Sequence, residues 1–198
     1  IASQNQQSVK AYSPIEIQVI DSNDKITGSI DGEIKEEISN SAYDTENEAV
    51  GILFPDDNYV YKITGTNEGN YGLAIENVID GESAIFNATE IPTSDNITHQ
   101  YTIDWPALSE GEKAATLLVD YEGDGIFDKD VISNSELTQE KYILQTETII
   151  DFDPDTTNLC SQGRYVTTYI ELPTDRFAFD VNNINVADAI MQMHELGS

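Results

Sequence analysis

Residues 50–81, VGILFPDDNYVYKITGTNEGNYGLAIENVIDG, decide the fold prediction because one pattern occurs in them more than once. Tyr59, Tyr61 and Ile63 alternate with the residues between them, which is the period of a strand with one buried face. Turn-forming residues separate the alternating runs, as at 55–58 and 67–70. Short strands joined by such turns are typical of antiparallel sandwiches and barrels.

The same pattern continues on both sides of this stretch. Further strands are predicted at 15–20, 85–91 and 97–103, the first of them followed by an Asp-Ser-Asn-Asp turn. Helix signals are scarce, with one helical turn predicted at 106–113 because proline suits the first position of a helix. The pattern predicts an all-β fold.

The chain divides into three segments by composition and pattern. Residues 1–10 are rich in Gln, Ser and Asn and are predicted to be a linker. Residues 11–146 are predicted to form an antiparallel β-sandwich, immunoglobulin-like or jelly-roll-like. Residues 147–198 are predicted to form a smaller β unit, with strands at 148–152 and 165–172.

The charge of the chain excludes several classes of partner. Nine basic residues stand against 37 acidic ones, giving a net charge of -28. Binding to nucleic acid or to an anionic membrane needs Lys and Arg in excess, so neither partner is expected. No stretch approaches the roughly 20 apolar residues of a membrane span. The excess fits divalent-metal binding, a salty habitat or solubility at an exposed surface, and composition alone leaves these three open.

One acidic loop has the spacing of a calcium site. Residues 120–128 read DYEGDGIFD, and calcium prefers six to eight oxygen ligands supplied at alternating positions around a glycine. The predicted metal ligands are the carboxylates of four residues and one backbone carbonyl: Asp120, Glu122, Asp124, Asp128 and the carbonyl of Ile126. The flanks of the loop resemble strands, so the alternative is a plain hairpin with an Asp-Gly turn.

Residues that carry out catalysis are not arranged in a recognisable motif. The chain has no G-x-S-x-G sequence, and its two histidines, His99 and His194, lie far apart. His99 is predicted to be a surface residue of a strand, and Cys160, the only cysteine, has no histidine near it in sequence to act as its base. Tyr59, Tyr61 and Tyr71 are predicted to pack in the core rather than to bind sugars. No enzymatic activity is expected.

Several segments resemble a family of β-sandwich domains. These are SPIEI at 13–17, the run from Asn58 through Thr66, and GNYGL at 69–73. They resemble domains appended to secreted lipases of the α/β-hydrolase type, to peptidases and to prokaryotic surface proteins. The segments IDFDPDT at 150–156 and VTTYIELP at 166–173 resemble a second module, found at the C-terminal ends of archaeal and bacterial exported proteins. Cys160 departs from it, because relatives carry a basic residue there.

The resemblance implies a non-catalytic accessory or spacer module of a larger secreted or cell-surface protein. Its partners would be covalently linked neighbouring domains. The spacing of the acidic loop, and not the resemblance, adds calcium as a stabilising ion. The alternative function is an adhesion module that binds carbohydrate or peptide. The likeness to the second module ends after Val186, so that unit is predicted to be incomplete, with a strand edge open to pairing.

Overall fold

A computed structural model describes residues 4–146, 169–172 and 175–178. The chain forms two compact units, Ile1–Glu147 and Thr148–Ser198. Two large β-sheets make up the first unit, which confirms the predicted all-β, sandwich-like class. The described part of the second unit is one antiparallel pair of strands, and its predicted strand at 148–152 lies outside the described residues.

The first sheet has six strands. Neighbouring strands are antiparallel, except for the pair at one edge, which is parallel. In spatial order they are β13 (Glu136–Thr138), β9 (Glu82–Thr93), β8 (Gly69–Ile79), β1 (Gln6–Tyr12), β6 (Ala49–Leu53) and β5 (Ser41–Asp44).

The second sheet has seven strands, each antiparallel to its neighbours. In spatial order they are β12 (Lys129–Ser133), β11 (Ala115–Asp120), β10 (Thr98–Ile103), β7 (Val60–Gly65), β2 (Ile15–Ile20), β3 (Ile26–Ile30) and β4 (Glu33–Glu36). The remaining elements are α1 (Trp105–Ser109), α2 (Gln139–Thr146), and the strands of the second unit, β14 (Tyr169–Leu172) and β15 (Asp175–Ala178). Within the described residues, no helix has the length and apolar character of a membrane span.

Alternating apolar residues of both sheets form one continuous core. Tyr61, Tyr71, Tyr101 and Phe86 are among its largest fully buried side chains, and Tyr59 is 6% exposed. The prediction that Tyr59, Tyr61 and Tyr71 pack in the core is therefore confirmed. Each aromatic side chain of this size buries a large apolar area.

The predicted linker is wrong for Gln6–Lys10, because these residues belong to β1. This strand lies between β6 and β8 and pairs with both. Its side chains alternate, with Gln7, Val9 and Ala11 buried and the residues between them exposed. The Gln-rich composition hid this period, because Gln7 is polar and yet buried. Its Oε1 accepts a hydrogen bond of 2.9 Å from the Tyr61 hydroxyl of the other sheet, which offsets the cost of burial.

Strands β8 and β9 are joined by the two-residue turn Asp80-Gly81, and this connection sets the register of the hairpin. Asp80 has a φ of 52° and Gly81 a φ of 87°. A type I′ hairpin turn requires positive φ at both central positions, and Asp-Gly is among the pairs that adopt it at least cost. Ile79 is consequently opposite Glu82, and Asn77 is opposite Ala84.

Helix α2 was not predicted from the sequence, and it covers the exposed edge of β12. The Gln145 side chain accepts a hydrogen bond from the backbone N–H of Ile132 (3.0 Å) and donates one to the Ile132 carbonyl (3.2 Å). This amide therefore takes the place of a neighbouring strand at that position. Covering an edge in this way is one means by which sheets avoid pairing with other chains.

Candidate functional site

The predicted metal loop connects β11 to β12, and Asp120 organises it. Asp120 is the last residue of β11 and is 2% exposed. Its carboxylate accepts four backbone N–H bonds from the loop, whose donors are Glu122 (3.2 Å), Gly123 (2.7 Å), Asp124 (3.3 Å) and Gly125 (2.8 Å). Both glycines have positive φ, which brings these N–H groups round to face one carboxylate.

The protonation of Asp120 follows from these contacts. Burial by itself would raise the pKa of this carboxyl, but the backbone donors, led by Gly125 and Gly123, outweigh burial and lower the pKa. A carboxylate that accepts several N–H bonds is held in its charged form. Asp120 is therefore an internal anchor of the loop at neutral pH.

The other predicted ligands have separate contacts. Asp124 Oδ1 accepts from the Ile126 N–H at 2.8 Å, and Asp128 Oδ2 accepts from the Tyr121 N–H at 2.9 Å. Glu122, like the other residues between 121 and 128, is exposed. Across residues 4–146, no three Asp, Glu, His or Cys side chains form a group that could hold a metal ion. The predicted ligands do not converge on one position in this arrangement, and calcium binding stays a prediction.

His99 lies in the core, so the prediction that it is a surface residue is wrong. It is fully buried, with Nδ1 at 2.9 Å from the Tyr71 hydroxyl and Nε2 at 3.1 Å from the Tyr142 hydroxyl. The Tyr71 hydroxyl also bonds to that of Tyr101. The imidazole thus joins β10 to β8 of the opposite sheet and to α2. His99 and Tyr101 stand two positions apart on one strand, and this spacing is the sequence signal that could have placed both side chains on the same face.

Burial fixes the charge of this network. It lowers the pKa of His99 to about 4 and raises the pKa of Tyr71, Tyr101 and Tyr142. All four groups are therefore neutral at physiological pH. A general base must lie within reach of a proton on its substrate, and the core encloses His99 in this structure.

One opening on the first unit is a groove of about 860 Å³ at the end of the β8–β9 hairpin. One wall is α1 with the half-buried Trp105, and the other is the hairpin itself. Ile79 and Ile85 are 38% and 46% exposed and supply apolar surface there. The acidic residues of the lining are Asp80 and Glu82, and no Lys or Arg is among the described residues that line the groove.

An unpaired strand edge lies in this groove. Strand β13 pairs with β9 only along residues 87–89 of β9. At the start of this pairing, the Asn87 N–H donates to the carbonyl of Ser135, the residue before β13, at 2.9 Å. Backbone groups of a strand point to alternate sides, so Ser83 and Ile85 turn their N–H and C=O groups the same way as Asn87, toward the groove. Within residues 4–146, no strand pairs with Ser83 or Ile85 on that side.

The sequence held little signal of this groove. Trp105 stands before a proline at the end of a predicted strand, but the packing of α1 on β9 is a long-range contact that no local pattern encodes. The early end of β13 is likewise a property of tertiary pairing. Comparison with models of protein families, with curated proteins and with solved structures finds no match to this chain, so any role of the loop, of the buried network or of the groove must be inferred from the geometry given above.

Proposed function

We propose that this chain is a non-catalytic accessory or spacer module of a larger secreted or cell-surface protein. The observation that carries the proposal is the burial of His99, whose two ring nitrogens are both hydrogen-bonded to core tyrosines. The most versatile acid–base side chain of the described residues therefore serves the fold. Two other buried polar residues, Asp120 and Gln7, also bond to groups of the protein itself.

The construction of the first unit suits a spacer. A single core runs between both sheets, and β1, near the start of the chain, is paired on its two sides. Lys35 and Glu37, 3.9 Å apart, form an exposed ion pair, which contributes little to stability. The net charge of -28 keeps such a module soluble and separate from other acidic surfaces.

A panel of substrates tests the non-catalytic role. The purified chain is incubated with chromogenic esters, glycosides and a fluorogenic peptide mixture, and turnover is compared with that of buffer alone. We expect no turnover above buffer. A rate that scales with protein concentration and is lost after a single substitution in this chain would refute the proposal.

The proposal includes calcium as a stabilising ion of the loop at 120–128. Its support is the D-x-E-x-D-G-x-x-D spacing and the buried, charged Asp120 at the start of the loop. Since the carboxylates do not converge in the described structure, Glu122, Asp124 and Asp128 would have to close around the ion. An extracellular site with a Kd on the order of 10⁻⁴ M would be largely filled at millimolar calcium.

Thermal unfolding in EDTA and in millimolar calcium tests this site. A ligand that binds only the folded state at a tenfold excess over its Kd stabilises it by about 1.4 kcal/mol, so we expect the melting temperature to rise by several degrees in calcium. Asp124→Ala should abolish the rise. Ser22→Ala, in a turn remote from this loop in sequence, is the control and should keep it. Identical melting temperatures in both buffers would show that the loop is a hairpin connection held by Asp120 alone.

A second candidate function is binding of a peptide or carbohydrate by an adhesion module. The groove at the β8–β9 hairpin favours it, because Trp105 and the exposed isoleucines give an apolar floor beside polar side chains. Binding sites combine apolar surface with a few polar groups in this way. A glycan array or a polysaccharide pull-down that returned a saturable ligand would favour this function over the spacer role.

A further inference from the structure

The groove at the β8–β9 hairpin offers a ligand two kinds of contact at once. The backbone groups of Ser83 and Ile85 form an open edge, and Trp105 faces the same space from the other wall. An extended peptide that lies along such an edge adds a strand to the sheet, gaining main-chain hydrogen bonds, while its side chains enter flanking pockets. The free edge runs from Glu82 to Phe86, which is room for about five residues of a strand.

We propose that this groove binds an extended, positively charged segment of a partner protein, which pairs with β9 at Ser83 and Ile85. The segment would present apolar side chains to Trp105 and Ile85 and Lys or Arg side chains to Asp80 and Glu82. The spacer role does not depend on this inference. For the second candidate function, an adhesion module, the inference names one class of partner.

Charge complementarity selects a basic partner. The acidic side chains Asp80 and Glu82 lie at the closed end of the hairpin, and the lining formed by residues 4–146 contains no basic residue. The net charge of -28 attracts a cationic segment from a distance and repels another acidic chain. A second copy of this chain is therefore a poor occupant. The indole of Trp105 adds a surface on which a Lys or Arg side chain can lie.

The contrast with β12 shows that an open edge is not general in this molecule. At β12 the Gln145 amide bonds both backbone groups of Ile132, so that edge is covered from within the chain. At β9 the same kind of backbone group faces a groove with apolar walls. An exposed edge invites pairing with another chain, and proteins that do not use such an edge commonly block it.

The fluorescence of Trp105 provides a direct test, since it is the only tryptophan of the chain. The probe is a synthetic ten-residue peptide of alternating Val and Lys, added to the full chain at low salt. We expect a saturable change in emission, with an affinity that falls as NaCl is raised because exposed charges are screened. A peptide with Glu in place of Lys should bind at least about tenfold more weakly.

Two changes test strand pairing separately from charge. Ile85→Pro removes an N–H that faces the groove and leaves the β8 pairing intact, because proline is tolerated at edge positions of this kind. Ile85→Val keeps the donor and is the matched control. We expect the proline variant to bind the Val-Lys peptide about tenfold more weakly or worse, and the valine variant to bind it like the parent. On the parent protein, N-methylation of alternate peptide nitrogens should weaken binding similarly.

Each remaining outcome overturns the inference. No saturable change up to millimolar peptide would mean that the groove does not take such a segment. Equal affinity for the Lys and Glu peptides would remove the charge argument. Equal affinity of the proline and valine variants, together with no effect of N-methylation, would remove the pairing argument. Self-association of the full chain that disappears in Ile85→Pro would make a second copy the occupant. The spacer proposal survives all four results.

Discussion

A chain that starts at Ala11 is expected to be unfolded, whereas one that starts at Asn5 is expected to fold like the parent. The longer deletion removes Gln6–Lys10. These residues make all the pairs of β1 with β6 and most of its pairs with β8. It also removes the fully buried Val9 and leaves the buried Tyr61 hydroxyl without the Gln7 acceptor. A domain is usually stable by only about 5–15 kcal/mol, so the loss of a central strand is enough to unfold it.

Far-ultraviolet circular dichroism and urea unfolding distinguish the two truncations. We expect the Asn5 protein to show a β spectrum and one cooperative transition, and the Ala11 protein to show neither. Since a linker could be removed without effect, this comparison also separates the observed strand from the predicted linker. Retention of a cooperative transition by the Ala11 protein would mean that β1 is dispensable.

Acidification from pH 7 to about pH 4 is expected to remove about 3 kcal/mol of the stability that His99 contributes. Burial lowers the pKa of His99 to about 4, against about 6.5 in an unfolded chain, and one pKa unit corresponds to about 1.4 kcal/mol. The unfolded state takes up the proton first as pH falls. The contribution is therefore complete above pH 6.5 and is lost as the pH falls from 6.5 to about 4.

The partners of His99 do not offset this loss. The hydroxyls within hydrogen-bonding distance belong to Tyr71 and Tyr142, whose pKa values are raised by burial, so they stay neutral in this range. No carboxylate is hydrogen-bonded to the imidazole among the described contacts. A proton on His99 would thus place an unpaired charge in the core, and such a charge is costly.

Urea unfolding of the parent and of His99→Gln at several pH values between 7.5 and 4 measures the effect. Both proteins carry the same carboxylates, so the pH dependence that comes from the acidic surface cancels in the difference between their free energies of unfolding. We expect the parent to be the more stable at pH 7.5 and its advantage to shrink by about 3 kcal/mol by pH 4. A difference that stays constant with pH would show that His99 is not held neutral by the fold.

The all-β class followed from local sequence because alternation is a local signal. Strands β2 and β7 were predicted to within about a residue, since the residues that they bury are mostly apolar or aromatic. Strand β1 was missed because one of its inward residues is Gln7. Its burial depends on the Tyr61 hydroxyl of the other sheet, which no pattern within β1 reveals.

The site residues were harder to predict for the same reason. The loop at 120–128 has ligand-like spacing, but the N–H groups that surround Asp120 depend on the backbone conformation of Gly123 and Gly125. His99 has the period of a strand, yet its burial depends on Tyr71 and Tyr142, 28 and 43 positions away. Polar residues buried by long-range partners are the ones that sequence patterns assign to the surface.

The position of β1 between two strands also determines how the first unit resists mechanical load. A force applied through the chain before Gln6 and directed along β1 acts parallel to both of its ladders, with β6 and with β8. The bonds of the two ladders then share the load and must rupture together in shear, whereas a strand peeled from an edge breaks one bond at a time. Tension that arrives along this strand is therefore transmitted into the middle of the six-stranded sheet.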